Sequence, residues 1–189
     1  MPGLEVVPVR SRGQMNTFID LPWSIYRGDP NWIPPIRSIV AKLLDPDRHP
    51  FWVSARRELF LAMRGSSAVG RIAAIVDNTY NTYHAERMAA WGFFECANDP
   101  EAAVALFSTV EKWARDQGME FLRGPLNPST NYEVGLLVQG FETPPGLGMT
   151  YNPRYYVELV HFSGFKKEKD LLSYLITRSF QLPEWALRL

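Results

Sequence analysis

The chain holds a single cysteine, Cys96, so no internal disulfide can form and a reducing, cytoplasmic setting is expected. No apolar run reaches the ~18 residues that cross a bilayer, so no membrane span is expected. The start, Met1-Pro2-Gly3-Leu4-Glu5, has neither the basic nor the apolar region of a secretory leader. Excess charge of one sign is missing as well: 20 Lys and Arg stand against 20 Asp and Glu, which argues against a nucleic-acid partner. His49, His84 and His161 have no i,i+4 pairing and no cysteine nearby, so no metal is expected. Gly65-Ser66-Ser67 and Gly146-Leu147-Gly148 lack the spacing of a phosphate loop.

What is present fits one domain of 189 residues, with 1–178 as its body and 179–189 as a tail or the start of a second half. Leu4–Val9 reads as a strand. Gln14–Tyr26 has helical spacing that Pro22 should bend or break. Ile36–Leu44 reads as a helix with Ile36, Ile39, Val40 and Leu43 on one face. Glu58–Arg64 and Val69–Val76 form a hairpin about Gly65-Ser66-Ser67, and Asn78–Thr82 reads as a polar loop. Met88–Cys96 is apolar almost throughout, as in a central strand buried on both faces. A helix follows, with Asp99 as N-cap, Pro100 at its first position and Gly118 at its end. Phe121–Arg123 is then a strand parallel to Met88–Cys96. Gly124–Gly148 has little regularity. A helix is expected from Pro153, capped by Asn152, to Ser163, and a last strand over Lys166–Thr177.

This order predicts an α/β fold, a mixed sheet with helices on both faces, and it resembles the GNAT superfamily of acyl-CoA N-acyltransferases. The resemblance rests on Gly92-Phe93-Phe94-Glu95-Cys96 before the Asp99-capped helix, and on Asn152-Pro153-Arg154-Tyr155-Tyr156 followed by Gly164-Phe165. Asp29-Pro30-Asn31-Trp32-Ile33-Pro34-Pro35, His49-Pro50-Phe51, Val69–Ala74, Gly124–Asn131 and Gly140-Phe141 are similar to segments of bacterial GNAT-like proteins. Those proteins often run twice as long, with a second GNAT-like half.

The resemblance implies transfer of an acyl group from acetyl-CoA or another acyl-CoA to a small-molecule acceptor. It implies donor contacts at Phe93, Phe94, Cys96 and Asn98, with Glu95 as base and Tyr156 as acid. Asn127, Ser129, Thr130 and Asn131, at the carboxyl end of a strand, are implied acceptor contacts or turn caps. Two departures stand out. The loop Cys96-Ala97-Asn98-Asp99-Pro100-Glu101 lacks the superfamily's glycines and places two carboxylates where a pyrophosphate is expected. Like charges at close range cost about 1 kcal/mol even in water. Val160 stands where the superfamily has its late-helix tyrosine, and Tyr156 lies one turn earlier. Each candidate also has a plainer reading: Glu95 paired with Arg71, Cys96 as a buried strand residue, Tyr155 as packing. A non-catalytic module that binds a ligand or packs on a partner, whether a second copy or a second half, is the alternative.

Overall fold

The computed structural model describes residues 3–174. The elements are β1 (Leu4–Pro8), α1 (Arg12–Ile25), α2 (Arg37–Leu44), a 3-10 turn (Pro50–Val53), β2 (Ala55–Arg64), β3 (Ser67–Asp77), α3 (Asn78–His84), β4 (Met88–Cys96), α4 (Pro100–Asp116), β5 (Phe121–Arg123), β6 (Leu126–Asn127), β7 (Glu133–Val134) and α5 (Tyr156–Phe162). Strands β1 to β5 lie side by side in chain order; each of the first four is antiparallel to the next and β5 runs parallel to β4. The short ladder of β6 and β7 stands apart.

The sheet carries a core on each face. Trp91, Phe94 and Cys96 pack with Leu106, Phe107 and Val110 of α4 and with Leu159 and Val160 of α5. Leu59, Leu61, Ala73, Ile75 and Phe93 pack on the other face with Phe18 and Ile19 of α1 and with Leu44. This two-sided burial is why β4 is almost continuously apolar.

Helix α1 starts with a capping box between Ser11 and Gln14 and runs on past Pro22 to Ile25. Proline offers no N–H to the carbonyl of Phe18. The Arg71 guanidinium takes that place, donating from Nη1 to the Phe18 oxygen at 2.5 Å. A tertiary contact thus holds together the turn that proline would open.

Four expectations are corrected. Asn78–Thr82 is the first part of α3, because the Asp77 carboxylate accepts from the backbone of Thr79 and Tyr80 while Asn81 clasps the backbone of Met88. On α2, Ile36 and Ile39 are exposed and Leu44 is buried. Trp52 and Arg57 bond the carbonyls of Leu43 and Leu44 and draw that end onto the core. Asn152 does not cap α5, which starts at Tyr156; its amide is spent on the backbone of Leu137. Residues 166–174 form no strand, since Lys167 pairs with Asp170 and Glu168 with Arg123 in an exposed, charged stretch. Residues 175–177, and the expected tail at 179–189, lie outside the described residues.

Candidate active site at the carboxyl end of β4

Between Arg71 and Ala73, β3 has one residue where β4 has two, Phe93 and Phe94. This is a β-bulge, and Phe93 adopts a left-handed φ of 49° to make it. Such a conformation in a bulky residue costs on the order of 1–3 kcal/mol and persists only where the surroundings impose it. The imposing group is Asn127, whose Oδ1 accepts the Phe93 N–H at 2.6 Å. Gly92 allows the approach: a Cβ there would stand 1.8 Å from the Leu126 carbonyl oxygen.

Strand β5 pairs with β4 only along Met88–Ala90. Beyond the bulge, no described strand pairs with β4 on that side, and α5 covers the free edge. The Tyr156 hydroxyl accepts the Cys96 N–H at 2.8 Å and donates to Glu95 Oε2 at 2.7 Å. The Tyr155 hydroxyl donates to the Cys96 carbonyl at 2.8 Å. Sequence reasoning named Glu95 and Tyr156 separately; the fold makes them partners.

Glu95 is mostly buried, with its side chain 14% exposed and Arg71 Nη2 3.6 Å from Oε1. Burial raises its pKa, Arg71 opposes that rise, and the hydroxyls of Tyr156 and Tyr26 oppose it further. Burial, then the charge of Glu95, holds the Tyr156 phenol well above its ordinary value, so it stays protonated. Tyr26 is shifted the same way for the same reasons. The result is a carboxylate with an elevated proton affinity bonded to a neutral phenol, the arrangement of a general base coupled to a general acid.

Tyr26 was missed by sequence reasoning. It stacks on Trp32, with ring centroids 4.8 Å apart and an interplanar angle of 5°. Its hydroxyl donates to the Tyr151 carbonyl at 3.3 Å. The usable signal was Pro22: a helical proline orphans a carbonyl, and the arginine that answers it here also faces Glu95.

The other candidates are distributed unevenly. Phe93, Phe94 and Cys96 are all buried. Burial pushes the Cys96 thiol up to about 12, which disfavours the reactive thiolate. Asn98 lines an open cleft of about 310 Å³ with Ser24, Ile25, Val69 and Tyr155. Ser129 caps a turn through Asn131 N, while Thr130 and Asn131 are exposed. A second open depression of about 420 Å³ lies on α3 over Asn78, Thr79, Thr82 and Tyr83, at the opposite end of β4. Among the described residues no group of three or more His, Cys, Asp and Glu is placed to hold a metal, and no helix is long and apolar enough to cross a membrane.

The start of α4 does not fit a pyrophosphate. Pro100 has no N–H, Asp99 Oδ1 accepts Ala102 N at 3.1 Å, and the Asp99 carbonyl accepts Ala103 N at 3.1 Å. Arg64 is bound there to Asp99 at 2.8 Å and to Glu101 at 2.6 Å. Of the amides that would receive a phosphate at this helix N-terminus, that of Ala102 already has a partner, and the two carboxylates beside it repel a phosphate.

Two solved structures share this architecture. One is an aminoglycoside acetyltransferase, meta-AAC0020, from an uncultured soil metagenomic sample (TM-score 0.55, 12% identity, covering 92% of this chain and 95% of that one). The other is AAC(6')-Iy in complex with a CoA bisubstrate analogue (TM-score 0.52, 11% identity, 93% and 99%). The chain has the GNAT fold. No family model matches it. It is 38% identical over 186 residues to a bacterial ceramide synthase of Caulobacter vibrioides, an alignment taking in 98% of this chain and 48% of that protein. It is 31% identical over 174 residues to protein YghO of Escherichia coli, taking in 89% and 43%. The chain spans about half the length of these curated relatives. Within the GNAT fold, Val160 packs in the core, while Tyr156 hydrogen-bonds β4 through the Cys96 N–H.

Proposed function

We propose that the chain is the acyl-transferring part of an N-acyltransferase, taking an acyl group from a thioester to the amine of a lipid-like acceptor. The observation that carries this reading is the 2.7 Å bond between Tyr156 and Glu95 beside the Phe93 bulge. The likeness to a ceramide synthase across nearly the whole chain supports the acceptor class.

The chemistry follows from the two groups. The amine nitrogen attacks the thioester carbonyl, and Glu95 takes the proton that nitrogen must lose. The C–N bond forms as the C–S bond breaks, and Tyr156 protonates the departing sulfur. Glu95 then returns its proton to Tyr156 across their hydrogen bond, restoring both groups. General acid and base each contribute about 10²–10⁴ in rate. The Phe93 N–H, released by Asn127, would donate to the developing oxyanion. The reading uses no phosphate contact at α4.

The test is to incubate the chain with a palmitoyl thioester and a long-chain amine, following free thiol by a chromogenic reagent and amide by mass spectrometry. Amide formation that falls at least 100-fold in Tyr156→Phe supports transfer. Equal trace amide in wild type and in a Glu95→Gln/Tyr156→Phe double variant would sink it. The second reading, a module that packs on a partner without catalysis, would then stand, supported by the occupied Phe93 and Ala102 amides.

A further inference from the structure

Arg71 is placed at a cost that the fold alone does not require. Its side chain is 7% exposed. Nη1 donates to the Phe18 carbonyl at 2.5 Å, and the guanidinium carbon lies 4.9 Å from the centre of the Phe18 ring. Nε is buried and has no partner among the described residues. A buried cation, an unanswered donor and a proline inside α1 are each unfavourable. An alanine at position 22 would give the Phe18 carbonyl a helical N–H, and an apolar side chain at position 71 would pack without charge. Stability therefore does not account for the combination of Pro22 and Arg71. Such departures gather at functional sites.

The guanidinium faces Glu95. The two residues stand directly opposite on β3 and β4, at the rung beside the Phe93 bulge, so their side chains share a face. Nη2 is 3.6 Å from Glu95 Oε1. That is too long for a hydrogen bond, so Arg71 acts on the carboxylate as a charge. Tyr156 bonds the other oxygen, Oε2. Burial raises the proton affinity of Glu95; against it act Arg71 on β3, then Tyr156 on α5 and Tyr26 at the end of α1, while Glu133 on β7 adds to it. We infer that Arg71 is the positioning residue of Glu95: the Phe18 carbonyl that Pro22 leaves free anchors one arm of the guanidinium, and the other arm faces the carboxylate and favours its charged form. Pro22 thereby serves the site rather than the helix. That Glu95 takes its proton from an amine rests on the proposed function; the anchoring and the action on its charge do not.

The experiment compares the full chain as wild type, Pro22→Ala, Arg71→Met and the Pro22→Ala/Arg71→Met double variant. Carbon-13 NMR of glutamate labelled at Cδ follows the ionisation of Glu95, and Glu95→Gln assigns its signal. Pro22→Ala gives the Phe18 carbonyl a backbone donor, so the double variant loses the cation without stranding that carbonyl. Pro22→Ala should raise the melting temperature by at least about 3 °C more in the Arg71→Met protein than in wild type. In the double variant Glu95 should hold its proton at least about tenfold more tightly than in Pro22→Ala. The acidic limb of the pH–rate profile for amide formation should move to higher pH by the same factor. Equal gains from Pro22→Ala in the two proteins, or a double variant that does not fold, overturn the anchoring. An unchanged Glu95 titration, or a displaced titration with an unmoved limb, overturns the positioning role. A displaced titration in a chain whose wild type forms no amide sinks the transfer reading and upholds the action of Arg71 on Glu95.

Discussion

Removing one oxygen, in Tyr156→Phe, tests the site's internal logic. The ring is 1% exposed and its packing on Phe94 and Tyr155 is kept by phenylalanine. Two hydrogen bonds are lost. The Cys96 N–H is left buried without a partner, at about 1–3 kcal/mol. Glu95 loses a bond to its charged form, worth about 1.5–3 kcal/mol. The two share one hydroxyl and are not additive, so the expected loss is about 2–4 kcal/mol. At about 2–4 °C per kcal/mol for a chain of this size, the melting temperature should fall by about 5–15 °C, read by circular dichroism alongside urea unfolding. Tyr155→Phe is the control. It abandons only a carbonyl acceptor at Cys96, and carbonyls tolerate this better than buried N–H groups, so it should cost about 1 kcal/mol. Under the transfer reading Tyr156→Phe also loses turnover of 10²-fold or more while donor affinity holds. A Tyr156→Phe protein as stable as wild type would refute the hydrogen-bond argument, whatever happened to activity.

Other expectations follow from the same geometry. Glu95 has a folded pKa raised by burial, so its contribution to stability is full below the ordinary carboxylate pKa and is lost as pH rises through the folded value. Urea unfolding from pH 5 to 8 should therefore show wild type losing stability relative to Glu95→Gln as pH rises; a gap moving the other way contradicts the burial argument. Gly92→Ala sets a methyl 1.8 Å from the Leu126 carbonyl oxygen and should cost about 2–4 kcal/mol by overpacking and loss of the Asn127 bond; an unchanged urea midpoint would contradict the close approach of β6. Cys96, buried and with its thiol pushed up to about 12, should react with iodoacetamide only in denaturant, and prompt native labelling would show that β4 opens.

The sheet was legible because local signals agreed with tertiary demand. Alternation and turn chemistry located β2, β3 and Gly65, and the unbroken apolar run marked β4 as central. The cap, Pro100 and Gly118 fixed α4. What failed depended on single side chains acting at a distance. Asn78–Thr82 looks like a loop until Asp77 caps it and Asn81 holds the next strand. Ile36 and Ile39 have core spacing, but the core lies toward Leu44. At the site, Glu95, Tyr156 and Asn127 could each be named from the sequence, whereas their bonding could not, because α5, β4 and β6 meet only once the sheet has formed. Tyr26 carried only an indirect mark, the helical Pro22 four residues before it.

The amides at the Phe93 bulge and those at the start of α4 are occupied in different ways, and that difference predicts how a donor is held. At the acyl end, the Phe93 and Cys96 amides are bonded to the side chains of Asn127 and Tyr156. The Asn127 amide can exchange places with another acceptor on the Phe93 N–H at little net cost, while Tyr156 stays packed and bonded to Glu95. At the start of α4, the carboxylate on Ala102 belongs to the helix N-cap itself and is clamped by Arg64. Displacing it would forfeit the cap, about 1 kcal/mol, and set a phosphate beside two carboxylates. A donor should therefore be gripped by its acyl chain and thioester, not by phosphates at this helix. Calorimetric titration with palmitoyl-CoA, acetyl-CoA and palmitoyl-pantetheine separates the contributions. The two palmitoyl thioesters should bind within about threefold of each other, and acetyl-CoA at least about 100-fold more weakly, since each buried methylene contributes about 0.8 kcal/mol. A 100-fold loss on trimming CoA to pantetheine would instead place the phosphates against the protein and refute the assignment of α4 as a closed cap.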